Sequence, residues 1–392
     1  MAPTTTPHRP AVILLSLTFL LGLTSIYVHA HRIGYGDALL RIREKGPPYY
    51  FPSASTAEQP IRTWYTGIPP LDRVLTLATI MFYPITDGSA PQLSVYGFHF
   101  AGQFLGVLAV VGVEALRRGN RGNSFRFYSI WGSAMQLLGY GVIMPLYGIV
   151  HLLTSPVSAA ANEQQTQIAN LEELEALPLA LVIAYIMPAV LMSIPVLSDS
   201  TRQWFGAVWQ GVPIWSTVCL KMIAAYLRRN KRGGFSASGN DRGRERRLLA
   251  RVYGFAFAAC LVGQLVPLGL ILTARVCPSV FPAGVADVMT IWDVFVPPPF
   301  WTGKKMKDMA SGIHGFFQYD QYVGSLAAGI WAVALYIKAM GPLGMREWMR
   351  LAALVAGLGV VAGPIGVVVW LIWCREEKLL SELEVGEARK RR

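Results

Sequence analysis

Charge is scarce in this chain. Asp, Glu, Lys and Arg make up 15% of the 392 residues, against 53% hydrophobic side chains and a mean hydropathy of +0.40. A soluble protein carries about a quarter of its residues as charges to keep its surface wet. Cysteine is scarcer still: Cys219, Cys260, Cys277 and Cys374 show none of the paired spacings of a thiolate metal site or a disulfide framework. Also missing is a polar stretch long enough to fold as a catalytic domain of its own. The longest intervals between apolar runs, residues 31–70 and 275–319, are rich in Pro, Gly and aromatics. Soluble Rossmann, kinase and hydrolase architectures are thereby excluded, and any chemistry lies among the apolar segments.

Those apolar segments are long and many. Runs of roughly 17 to 25 residues, enough to cross a hydrocarbon layer of about 30 Å, fall near residues 11–30, 71–87, 93–116, 127–153, 177–197, 204–226, 249–274, 320–340 and 350–374. The expected fold is all-α: a polytopic transmembrane bundle of eight or nine spans, the second being the weakest, forming one integral membrane domain over residues 1–392. Residues 227–248 are expected as a polybasic loop and residues 375–392 as a charged C-terminal tail. The first run ends in Val28-His29-Ala30, which has the form of a small-residue cleavage site. Arg32, Arg41, Arg43 and Lys45 follow it and favour a retained first span with these residues in the cytosol.

The net charge of +12 is concentrated outside the apolar runs, with Arg228, Arg229, Lys231, Arg232, Arg242, Arg244, Arg246 and Arg247 in one interval. Such clusters face the cytosol and its anionic lipids. No folded domain carries them, so membrane lipid and not nucleic acid is the expected partner. Alternation from a cytosolic 31–45 stretch puts Arg117, Arg118, Arg121 and Arg126 in the cytosol, and Glu163, Glu172, Glu173 and Glu175 in the lumen. Three spans then separate Arg118 from the polybasic interval, which would place the two on opposite sides. Either a span between 127 and 226 is re-entrant, with the one holding Pro188 and Pro195 the first suspect, or one basic loop is lumenal.

Polar side chains at membrane depth are costly and therefore mark candidate sites. His99, Gln103 and Glu114, separated by four and eleven residues, share one helical face. Glu114 lies one turn from Arg117 and Arg118, which suits an interfacial ion pair better than catalysis. Gln136, Tyr140, Tyr147 and His151 form a second stripe, equally suited to a pocket and to joining helices. Asp87 sits in the turn PITDGSAP, where capping would explain it. Asp320 lies in HGFFQYDQY, flanked by Gln318, Tyr319, Gln321 and Tyr322, and shares a face with Gly324 and Trp331. Alternation brings Asp87, His99 and His151 to one side of the bilayer, and Asp320 with them if the polybasic loop is cytosolic. Burial disfavours a carboxylate, so a buried Asp can keep its proton and donate it. Aromatic faces can then hold a developing cation, each by up to about 2 kcal/mol, and aromatics are 11% of the chain, Trp64, Trp131, Trp209, Trp292, Trp301 and Trp331 among them.

The runs WYTGIPPLDRVLTLATIMFYPITDGSAPQL, FHFAGQF with VEALRRGNRGN, PLYGIVHLLTSP and FFQYDQYVGSLAAGIWA resemble the membrane-bound terpene cyclases of fungal meroterpenoid pathways, of the ascofuranone and macrophorin type, over residues 64–340. The resemblance implies an enzyme that folds the farnesyl chain of a lipid-soluble prenylated substrate. It would start cyclisation by protonating a terminal epoxide or olefin, with neither metal nor cofactor. Consistent with that, there is no DDxxD pair for magnesium diphosphate and no DxDD motif. An endoplasmic reticulum location is implied, with a prenyltransferase and a flavin monooxygenase as pathway partners. Matched by motif, the candidate acids are Asp320, Asp87, Asp72 and Glu114. The candidate substrate-binding residues are His99, Gln103, Tyr140, Tyr147, His151, Gln318 and Trp331, and no metal ligand is expected. A small-molecule transporter is the alternative from another class, and would show broken helices in corresponding halves with a coupling carboxylate pair. A non-catalytic scaffold is a third.

Overall fold

The computed structural model describes residues 8–45, 50–51, 59–159, 163–231 and 241–390. It is all-helical apart from a two-residue antiparallel pairing of Tyr50–Phe51 with Gln59–Pro60. The helices are α1 (Arg9–Arg32), α2 (Tyr35–Lys45), α3 (Pro69–Thr86), α4 (Pro91–Ala115), α5 (Tyr128–Leu138), α6 (Tyr140–Thr154) and α7 (Leu171–Ser193). After them come α8 (Asp199–Gln210), α9 (Val212–Lys231), α10 (Asp241–Val276), α11 (Ile291–Phe295), α12 (Met309–Met340) and α13 (Met345–Lys390).

Among the described residues six helices, not eight or nine, are long and apolar enough to cross a membrane: α1, α4, α7, α12 and the main parts of α10 and α13. The difference has local causes. The run 127–153 is two helices folded back on each other at Gly139, whose φ of +86° is open to glycine. The arms lie side by side, since the rings of Trp131 and Tyr147 are 5.2 Å apart and those of Phe125 and His151 4.9 Å. The run 204–226 is divided at Gly211 between α8 and α9, and α3 falls short of the six.

α13 turns in the same way at Gly363, with φ of +73°. The chain leaves Lys338, which donates to the Ser158 carbonyl, reaches Ala362 beside Gln103, and returns to Arg375, which donates to the Val157 carbonyl. Entry and return are thus at one end of the bundle. The break expected in the span with Pro188 and Pro195 is absent. α7 instead runs through a π-helical turn at Val182–Ile186 just ahead of Pro188, which has no N–H for the ladder.

The α5–α6 hairpin is the turning-back expected between residues 127 and 226, in the first run of that interval and not in the one with Pro188 and Pro195. Because it returns the chain to where it started, the acidic and basic segments share an end: Arg118 N–H donates to the Gln167 carbonyl (2.8 Å), and Arg244 pairs with Glu172 (3.0 Å) and Glu175 (2.8 Å). The acidic stretch is therefore not opposite the basic loops. Glu172 and Glu175 are neutralised by Arg244 of the polybasic interval itself and Glu173 by Lys221; positions 232–240 of that interval lie outside the described residues, as does the side chain of Glu163. Conversely, α1 runs from His8, bonded to the Ser158 carbonyl, to Arg32, whose carbonyl accepts from Lys305. The stretch after α1 is thus at the far end from Arg117, not beside it. Within the bundle α1 is a full member: Leu15 is buried in the core, and Gly22 packs so closely on the Gly141 backbone that a Cβ there would lie 2.7 Å from its carbonyl oxygen.

Candidate active site

The α5–α6 hairpin ends at half the depth of the bundle, and its tip meets Asp320 near the middle of α12. Asp320 Oδ1 accepts from the Gly141 N–H at 2.8 Å. A Cβ on Gly139 would sit 2.8 Å from the same oxygen, and one on Gly141 2.8 Å from the Asp320 carbonyl oxygen. Two glycines at the turn thus let backbone approach a carboxyl group that an ordinary side chain would displace.

Beside this contact opens a cavity of about 470 Å³, within the range of about 300–1,000 Å³ that holds small organic ligands. Phe100 and Phe104 of α4, Phe316 and Phe317 of α12, Phe82 of α3 and Trp209 of α8 line it, with Met81, Met135, Met192 and Tyr185 between them. Tyr27 of α1 closes one side and donates to the Leu138 carbonyl at 2.5 Å. Asp320 is the one carboxylic acid among the lining residues. The arrangement sets a carboxyl group against an apolar wall whose ring faces can hold a cation.

Of the other candidates, Gln136 and Tyr140 line the cavity and the rest do not. Asp72 pins the loop before α3, accepting from Thr66 N–H and Oγ1 (both 2.7 Å) and from Gly67 N–H at 3.0 Å. Asp87 closes the turn after α3, accepting from Ser89 N–H at 2.8 Å and Oγ at 2.6 Å. His99 lies between the Gly263 carbonyl (3.2 Å) and the Gln321 amide (2.8 Å). Gln103 clamps the turn of α13, donating to the Cys260 and Ala362 carbonyls (3.0 and 3.1 Å) and accepting from Ile365 N–H at 3.0 Å. Gln318 donates to the Val294 carbonyl at 3.0 Å. The expected convergence of Asp320, Asp87, His99 and His151 does not occur, because each of the last three finds its partner in a neighbouring helix or turn.

Glu114, Tyr147, His151 and Trp331 do come together, at the basic end. Trp331 Nε1–H donates to His151 Nδ1 at 3.2 Å, His151 Nε2 lies 3.4 Å from Glu114, and Tyr147 stacks on the His151 ring. Glu114 pairs with Arg117 at 2.8 Å and with Arg375 at 3.2 Å, and Glu376 neutralises Arg117 from the other side at 2.7 Å. The second arginine is Arg375 from the end of α13, not Arg118. Removing one partner of a fully buried network leaves an uncompensated charge, at about 3 kcal/mol. Glu114→Gln is accordingly expected to lower protein level and thermal stability while the surviving protein keeps its turnover per molecule. Normal accumulation with lost turnover would move Glu114 into the chemistry.

Apart from Tyr140 and Trp209, the aromatic lining was not singled out from the pattern, although Phe100 and Phe104 lie one residue beyond His99 and Gln103. Following polar residues along α4 leads to the face that packs on α10 and α13, where backbone carbonyls are exposed by close helix contact and by the break at Gly363. The adjacent apolar face looks into the cavity. Of the tryptophans, Trp209 alone lines it; Trp64, Trp292 and Trp301 are 62%, 73% and 70% exposed, Trp131 stacks on Phe125, and Trp331 is held by His151.

Residues 10–380 match the CtvD domain family. This chain belongs to the CtvD domain family. Its curated relatives include terpene cyclase ascI of Acremonium egyptiacum, 27% identical over 82% of this chain and 82% of the relative. Terpene cyclase penA of Penicillium crustosum is 26% identical over 96% and 97%, and terpene cyclase janA of Penicillium janthinellum 29% identical over 78% and 79%. No solved structure matches the chain. Within the CtvD family the expectation of an enzyme, a terpene cyclase related to those of fungal meroterpenoid pathways, stands, and six apolar helices of crossing length are consistent with an integral membrane protein.

Proposed function

We propose that this CtvD-family protein is a membrane cyclase that starts its reaction by protonation, with Asp320 as the acid and a lipid-soluble farnesylated meroterpenoid as the substrate. The observation that carries the proposal is the placement of Asp320: a buried carboxyl, fixed by the hairpin tip, facing a cavity otherwise walled by aromatic and aliphatic side chains. The proton passes from the carboxyl to the terminal epoxide oxygen or olefin carbon, the chain closes through successive cations held against the ring faces, and the last cation loses a proton that the carboxylate takes back. Asp87 and Asp72, tied up in turns, order the approach to α3 and α4, and Glu114 holds the basic end together.

Sitting in the endoplasmic reticulum with the basic end toward the cytosol agrees with the side on which Arg117, Arg118, Arg228 and Arg244 gather. Metal independence follows from protonation as the initiating step. Microsomes containing the protein are expected to cyclise a farnesylated phenol or its epoxide equally well with and without excess EDTA. Turnover that disappears with EDTA and returns with magnesium would replace protonation by metal-assisted ionisation.

A further inference from the structure

The cavity wall has a second polar region besides Asp320. Gln136 of α5 and Gln210 of α8 both line it and are joined, Gln136 Nε2 donating to Gln210 Oε1 at 3.3 Å, while Gln210 Nε2 donates to the Gly206 carbonyl at 3.3 Å. Two hydroxyls of the lining are also engaged, Tyr27 with the Leu138 carbonyl and Tyr185 with the Ala101 carbonyl. What remains is uneven. Gln136 Oε1 is buried with no donor, and Trp209 Nε1–H, on the residue preceding Gln210, is buried with no acceptor; the Tyr140 hydroxyl of the lining, on the Asp320 side, is also buried with no hydrogen-bond partner. Buried polar groups are nearly always paired in folded proteins, so an acceptor and a donor left open on the wall of a cavity mark a place for a ligand group that can both donate and accept.

We propose that Gln136 and Trp209, with Gln210 fixing the Gln136 amide, form the subsite for a hydroxyl on the non-isoprenoid part of the substrate. A phenol or quinol hydroxyl fits both demands: its O–H donates to Gln136 Oε1 and its oxygen accepts from Trp209 Nε1–H. A ketone or ether satisfies the tryptophan alone, and a plain hydrocarbon neither. This deepens the proposed function and rests on it: the polar head is anchored at the α5–α8 contact, and the prenyl chain fills the aromatic space toward Asp320. Selection for the head group then resides on different helices from the acid, and the two can vary separately.

Binding separates this subsite from turnover. The full chain carrying Asp320→Asn, in detergent micelles, is titrated with a farnesylated dihydroxybenzene and with farnesylbenzene, which lacks the hydroxyls. The hydroxylated ligand is expected to bind about tenfold more tightly, the size of one hydrogen-bonded group. Adding Gln136→Leu, or separately Trp209→Phe, should weaken that ligand by threefold to tenfold and leave farnesylbenzene within twofold. Equal affinities for the two ligands, or a preference that survives both substitutions, would overturn the subsite. A parallel loss of affinity for both ligands would mean that the amide pair only supports the wall, and would overturn it as well. Retained cyclisation by Asp320→Asn would remove the acid assignment without touching the binding ratio, so the two failures are told apart.

Discussion

Asp320→Asn is expected to abolish cyclisation and leave the linear substrate to accumulate. Asparagine keeps the size and the acceptor oxygen that the Gly141 N–H uses at 2.8 Å, so the hairpin tip stays in place, but the side chain has no proton to give. A positioned general acid contributes about 10²–10⁴-fold, and where no other acid lines the cavity the loss should reach at least the lower figure. Product analysis of microsomes at matched membrane expression is the measurement, with Asp87→Asn as companion. The Asp87 carboxylate accepts from Ser89 in the turn between α3 and α4. Its loss should cost stability of about 1 kcal/mol and only part of the turnover. Near-normal product from Asp320→Asn would dismiss it as the acid, and abolition by Asp87→Asn alone would transfer the role there.

Gly139→Ala should be nearly as damaging, for a reason in the backbone and not in proton chemistry. Gly139 holds φ of +86° and ψ of 134°, a conformation that costs a residue with a Cβ about 1–3 kcal/mol. The added carbon would also lie 2.8 Å from Asp320 Oδ1. Either the hairpin tip or the carboxyl must move, and both shape the cavity. The expected outcome is a fall in turnover of tenfold or more together with a lower unfolding temperature in detergent. Gly254→Ala, where a Cβ would meet nothing within 4 Å, serves as a control that should change neither. If Gly139→Ala retained full turnover, the hairpin tip would not be what positions the acid.

Asp320 stands out in the sequence for its neighbours Gln318, Tyr319, Gln321 and Tyr322, yet none of these four lines the cavity; Phe316 and Phe317 of the same short motif do. His99, Gln103 and His151 were legible as costly polar groups but not as to their partners. Those partners are the Gly263 carbonyl, the turn of α13 and Trp331, each more than 150 residues away along the chain. Arg375, the second cation on Glu114, is likewise 261 residues distant. Helical spacing reports which residues share a face and says nothing of which helix that face meets.

Few charges and long apolar runs by themselves pointed to a helical chain with segments of membrane-crossing length, because such a chain can satisfy its backbone in lipid only by internal hydrogen bonding. The motifs determined the kinship with terpene cyclases. Tertiary structure decided the rest: how many helices have crossing length, which segments turn back, and which polar residue faces the cavity. The reason is that a turn at Gly139 or Gly363 needs a glycine with nothing in the way, and a glycine in an apolar run looks the same whether the helix continues through it or folds back. The folded-back form packs its turn on Asp320 in one case and on Gln103 in the other. With those two turns, the acidic and basic segments fall at one end, the buried network of Glu114 and Arg375 becomes possible, and Asp320 is left facing the apolar cavity.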